Sequence, residues 1–203
     1  MDGKELFLMA HAHTHAFTNI SGDMIGAEEN LCKDLAHDQM RQCPEGRHNS
    51  IAWLLWHMAR CEDVMVNTVI RDVSEVLDED WLPRLGIHTR HIGTEDSMAD
   101  VELLSRQVDV QALRAYRFAV AQSTQDWFKA VEWSSLEEIP TRAEAERAVI
   151  RGALRPEAYW VFERLWGNEK RQKLWWLHWL GIGHNYHHLG EARVTLGHIK
   201  AQG

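Results

Sequence analysis

Cysteine, proline and long apolar runs are all scarce in this chain of 203 residues. Cysteine occurs three times, at Cys32, Cys43 and Cys61. The odd count and the lack of a C-x-x-C spacing argue against a disulfide scaffold and against a cysteine zinc cluster. A reduced, cytoplasmic chain is expected. The longest unbroken apolar run, Ile51 to Trp56, has six residues, where a membrane span needs about 20. The N-terminal MDGKELFLMAHAH is too short in apolar residues for a signal peptide, and no cleavage site follows it. Runs of β-branched residues bounded by turns are nearly missing, and no segment alternates with period two. Positive charge is also in deficit: 22 Lys plus Arg against 30 Asp plus Glu leave a formal charge of −8. Phosphate backbones and polybasic membrane contacts both need surplus cations, so neither nucleic acid nor a membrane surface is an expected partner.

What the chain has instead is helix-forming sequence. It is 45% hydrophobic and 26% charged, enough to bury a core, and its length suits a single domain spanning 1–203. Residues 4–17 predict a helix ending near Thr18–Gly22, and 23–42 hold a shorter one before the turn at Cys43–Gly46. Asn49 or Ser50 caps a helix of about five turns over 49–70. Its apolar stripe carries Trp53, His57, Cys61 and Val64, flanked by Leu54, Met58 and Met65. Residues 71–108 predict short helices and loops. Asp109 caps a long helix that Pro140 ends. Helical composition returns at 141–154, and Pro156 opens a further helix closed by Gly167 and Asn168. The last helix spans about Glu169–Thr195 with Gly181 and Gly183 inside it. Each glycine costs roughly 1 kcal/mol there, so the helix either breaks or meets a close neighbour. The fold class expected is all-α: a bundle of about four long helices with additional short helices and loops.

Histidine and tryptophan are in excess, with 13 and 10 copies. Neutral imidazole ligates zinc, nickel or iron. His184 and His188 stand four apart, about 40° around a helix, so both rings can reach one point. Chance supplies roughly one such pair at this histidine content, and there are two, the other being His11 and His15. Spacing alone therefore leaves the matter open. A third ring, His57, shares a helix face with Trp53. Three histidines from two helices would leave a metal with an open position, as in catalytic sites.

The stretch RHNSIAWLLWHMARCEDVMVN, followed far downstream by WLGIGHNYHHLGEA, resembles the DinB-like metal-dependent superfamily. That family includes YfiT-like proteins and S-transferases that use mycothiol or bacillithiol. The resemblance covers most of the chain. It implies a four-helix bundle holding a divalent metal (zinc, nickel or iron) on His57, His184 and His188. It also implies a small-molecule substrate, a low-molecular-weight thiol as cosubstrate, hydrolysis as a variant, and a homodimer. The alternative is a non-catalytic, stress-associated metal-binding bundle or interaction module.

The neighbouring residues separate as follows. Glu191, one turn beyond His188, is the candidate catalytic residue: it would orient a ligand histidine or serve as a general base toward water at the metal. Its bland reading is a solvated helix charge. His187 points about 100° away from His188 and is expected beside the site. His178 reads as an amphipathic residue on a Trp-rich face. His11, His13 and His15 read as surface or groove-lining, since the family's first helix gives no ligand. Glu62 and Asp63 lie about 140° and 240° from His57 and are expected in salt bridges or caps. Cys61 reads as a core thiol. Trp53, Trp56, Trp175, Trp176 and Trp179 are expected mainly as core filler, with one or two walling the pocket. Arg114 and Arg117 are expected to hold an acidic substrate. A di-iron site is excluded because only Glu45-x-x-His48 offers its motif, in a turn. H-E-x-x-H, P-loop and G-x-S-x-G motifs are absent, as is the C-x-x-C-H of an attached haem.

Overall fold

A computed structural model describes residues 1–20 and 24–202. It is all-helical, and among the described residues no strand forms. In chain order the α-helices are α1 (Gly3–His13), α2 (Ala27–Cys32), α3 (His37–Arg41), α4 (Ile51–Asp63), α5 (Trp81–Leu85), α6 (Met98–Gln107), α7 (Val110–Ala130), α8 (Trp133–Leu136), α9 (Arg142–Ile150), α10 (Lys173–His178) and α11 (His184–Gln202). Three π segments extend or join them: Val64–Ile70, Phe162–Trp166 and Trp179–Gly183. The second long helix is thus α4 plus Val64–Ile70, and the fourth is α10 and α11 joined through Trp179–Gly183. No described helix is long and apolar enough to cross a membrane.

The four long rods close a ring. α4 packs on α7 and on α11, while α1 packs on α7 and on the Trp179–Gly183 segment. Caps set their starts. Asp2 and Glu5 form a capping box on α1, Ser50 Oγ accepts the Trp53 N–H at 2.9 Å, and Asp109 Oδ1 accepts that of Ala112 at 2.8 Å. Ser50, not Asn49, is therefore the cap of α4. Four boundaries differ from the sequence expectation. α1 ends at His13, short of Thr18–Gly22, of which Ser21 and Gly22 lie outside the described residues. α7 ends at Ala130, before α8 and well before Pro140. Pro156 opens only a short 3-10 turn, Pro156–Ala158, ahead of the π turn Phe162–Trp166. The last helix begins at Lys173 and runs past Thr195 to Gln202.

The stretch Ile51–Ile70 departs further from expectation. It is buried on every face, not along one stripe. The short helices cause this: α3 and α6 cover α4, and α9 covers Val64–Ile70. A helix enclosed all round must partner each polar group it carries. Arg60 does so through Asp63 (3.1 Å), Glu75 (2.8 Å) and the Arg90 carbonyl (2.6 Å). Asp63 in turn accepts from the Tyr116 hydroxyl (2.7 Å), Asn67 (2.7 Å) and the backbone N–H groups of Val76 and Leu77. This polar knot ties α4 to α7 and to the following loop.

Gly181 and Gly183 do not break the last helix. They sit in the π segment, where α1 comes close: a Cβ on Gly181 would lie 3.1 Å from Cδ2 of His11. His11 cannot retreat, because it is fully buried, bonded to Glu62 and stacked on Phe7. Gly181→Ala is therefore expected to destabilise the protein by about 1–3 kcal/mol despite alanine's better helix propensity. A urea midpoint at or above that of the parent would refute the close-approach reading.

Candidate metal centre

His57 lies at the seam of two core clusters, with Trp53 in one and Cys61 in the other. Its ring stacks on Trp53 at 5.1 Å with only 4° between the planes. Its Nδ1 lies 2.5 Å from the Ile92 carbonyl oxygen. A carbonyl only accepts, so Nδ1 carries the proton and Nε2 carries a lone pair. That Nε2 lies 3.2 Å from His184 Nε2, which lies 3.1 Å from His188 Nε2. His188 Nδ1 faces Glu191 Oε2 at 2.9 Å, and Glu191 Oε1 accepts from Asn49 Nδ2 at 2.8 Å. Burial would raise the Glu191 carboxyl, but the bonds from His188 and Asn49 hold it below its ordinary value. An ionised carboxylate accepts, so the proton of His188 also sits on Nδ1 and its Nε2 is bare.

The proton count then tests the cation. Two bare nitrogens flank His184 Nε2, and that atom can donate one hydrogen at most. One lone pair is left facing a nitrogen with nothing to offer. A divalent cation among the three nitrogens would satisfy them all, and donor spacings of 3.1–3.2 Å suit zinc–nitrogen bonds of about 2.0–2.1 Å. Burial, reinforced by the neighbouring rings, lowers His57 to about 4 and His184 to about 2. His184 Nδ1 has no hydrogen-bond partner in the protein. Cys61 Sγ is 3.8 Å from His57 Nε2, and burial pushes its thiol up to about 12.

The other expected residues fall into two groups. His187 is exposed and edge-on to His188 at 4.9 Å, as expected of a residue beside the site. His178 is exposed and lines an apolar cleft of about 570 Å³ with Leu6, Phe7, Trp133 and Trp175. Trp53, Trp56 and Trp176 are core, while Trp175 and Trp179 are 38% and 40% exposed. Trp175 stacks on Trp179, whose ring is edge-on to His184 at 6.3 Å. Arg117 is wholly buried, with its Nε 2.5 Å from Glu28 Oε2, and Arg114 pairs with Glu29. Arg117 has no surface open to a substrate and Arg114 is paired to α2, so the substrate role expected of them is withdrawn.

The histidine cluster at the N-terminus also needs correction. His11 and His15 are fully buried, not superficial, and both face Glu62 from α4. Only His13 keeps partial exposure, bonding the Tyr186 hydroxyl at 2.6 Å. The signal for this was in α4: the helical neighbours of Glu62 at three and four residues are Met58, Ala59, Met65 and Val66, so its partners had to come from elsewhere. Asn49 and the Ile92 carbonyl, which fix two of the clustered rings, had no such signal.

The architecture is thus an all-helical bundle whose second and fourth long helices aim three histidines at one point. The sequence model of the DinB superfamily matches residues 28–192. The chain belongs to the DinB superfamily, which includes metal-dependent enzymes and whose members typically bind metal. Among solved structures, the chain is similar to a protein from Enterococcus faecalis described as the conserved protein of a locus, with a TM-score of 0.69, 14% identity and 99% of each chain covered. That likeness concerns the fold. No curated protein sequence matches the chain.

Proposed function

We propose that this protein is a divalent-metal-dependent enzyme whose cation is held by Nε2 of His57, His184 and His188. The observation that carries the reading is the convergence of three imidazole nitrogens with too few protons to satisfy one another. On three neutral imidazoles a divalent cation keeps its full charge and open positions, and it lowers the pKa of a water or thiol that reaches it. Together with the superfamily, this supports group transfer to or from a low-molecular-weight thiol, with hydrolysis as the variant. The chain's own residues set the geometry. The Ile92 carbonyl and Trp53 fix the plane of His57. Glu191 fixes His188, and Asn49 fixes Glu191. Both Glu191 oxygens are engaged on the Nδ1 side of His188, away from the converging nitrogens. We therefore assign Glu191 as a positioning residue, in place of the general-base role.

Two measurements test this. Loss of free thiol is followed for mycothiol, bacillithiol and glutathione, each with an electrophilic bimane, using zinc-loaded and metal-free protein. Faster consumption by the zinc-loaded form is expected, and equal rates with every thiol would end the transferase reading. For Glu191, replacement by alanine is expected to weaken zinc binding about 10–100-fold, as for other partners of ligand histidines. Glu191→Gln, which keeps an acceptor for His188, is expected to recover most of that loss. A titration in which all three proteins bind equally would remove Glu191 from the site.

A second reading rests on Cys61. Its Sγ lies within 4.8 Å of the ligand atoms of both His57 and His184, so it is placed to close the centre from inside. A closed four-ligand site is structural, not catalytic. Cobalt substitution separates the two: a sulfur-to-metal charge-transfer band that vanishes in Cys61→Ser favours the closed site.

A further inference from the structure

We propose a second divalent-cation site, enclosed between α1, the turn that follows it, and α4, with His11, His15 and Glu62 as its protein ligands. It is separate from the centre at His57, His184 and His188, called exposed because His184 and His188 keep part of their surface open. All three side chains are wholly buried. His11 Nε2 lies 2.8 Å from Glu62 Oε1, and His15 Nε2 lies 3.1 Å from Glu62 Oε2. One donor atom from each residue lies within 4.8 Å of the other two. Two imidazoles and one carboxylate form a recurrent ligand set for zinc and non-haem iron.

His15 is what separates this cluster from an ordinary buried hydrogen-bond network. Its ring is turned so that neither nitrogen makes a hydrogen bond, although Nε2 is close to the carboxylate. Buried polar atoms are nearly always partnered, and an exception asks for an ion or water. Among the described residues no Lys or Arg pairs with Glu62, whose ion-pair partners are these two rings alone, and the nearby Arg117 has its Nε on Glu28. A buried carboxylate with no fixed cation bonded to it is what a metal ion neutralises. Thr124 Oγ1, donating at 2.7 Å, and Asn185 Nδ2 at 3.4 Å steady the carboxylate. His11 and His15 precede residues 28–192, the span that matches the family, so two of the three proposed ligands lie outside the matched span.

Burial dictates the test. The exposed centre can lose its cation directly, whereas the enclosed one must wait for α1 to open locally. Zinc-loaded wild-type protein, desalted and then challenged with EDTA, is expected to carry two equivalents and release them in a fast and a slow phase. His184→Ala is expected to lose the fast equivalent and keep the slow one. Glu62→Gln and His15→Gln are expected to do the reverse, each with a melting curve confirming that it folds. One equivalent, released in one phase and missing from His184→Ala, would overturn the proposal. So would a slow equivalent that both Glu62→Gln and His15→Gln retain. One equivalent kept by His184→Ala but lost from Glu62→Gln would support this site and refute the exposed centre, so the two readings fail separately.

Discussion

His184→Ala is expected to cost the exposed centre its cation. His184 Nε2 is the hub of the cluster, within 3.1–3.2 Å of both other nitrogens. Without it, His57 on α4 and His188 on α11 remain as two donors on separate rods. The loss in zinc affinity should exceed the roughly 100-fold that marks the upper range for partners of ligand histidines. The ring is only half-buried at the start of α11, so helix content by circular dichroism should match the parent. Isothermal titration with zinc and elemental analysis of desalted protein check the outcome. Unchanged affinity at the exposed centre would defeat the assignment.

Asp63→Ala carries the largest expected effect on stability. Arg60 has no solvent to fall back on, since its side chain and that of Asp63 are fully buried. Truncation takes one of the two buried carboxylates that face the guanidinium, leaving Glu75 alone, and removes the acceptor of the Tyr116 hydroxyl, of Asn67 and of two backbone N–H groups. Breaking one partner of a buried ion pair costs about 3–5 kcal/mol, a large share of the roughly 5–15 kcal/mol that holds a domain folded. Urea denaturation followed by tryptophan fluorescence measures it. Asp63→Asn keeps acceptor capacity at one oxygen and should lose less. A drop below about 1 kcal/mol for the alanine variant, the scale of an exposed pair, would show that the knot does not hold α4 to its loop.

The long rods were legible because their information is local. Asp109 reads as a cap from its own position, and the apolar content of Ile51–Ile70 marks a helix at once. The full burial of that helix was not legible, since α3, α6 and α9 cover it from distant parts of the chain. The same division runs through the site. His184 and His188 share a helical face by spacing alone, but only packing brings His57 to them. Arg117 looked available for a substrate because a cation in a sequence does not show its partner, here Glu28, 89 residues away. His11 and His15 looked superficial for the same reason, since their partner Glu62 lies on another helix. Charge and spacing mark which residues can do chemistry. They do not mark which of them another element has already engaged.

The π segment at Trp179–Gly183 has a consequence for the family's history. Each residue advances a helix by about 100°, so a π turn shifts everything downstream by one step while the backbone stays helical. His184 begins directly after that shift. The orientation of His184 and His188 toward His57 thus depends on the number of residues in the turn as well as on their identity. Relatives that have gained or lost one residue between Trp179 and His184 would need a compensating change nearby to keep the three rings aimed together. In this superfamily, alignment gaps at that turn should track changes in the histidines themselves.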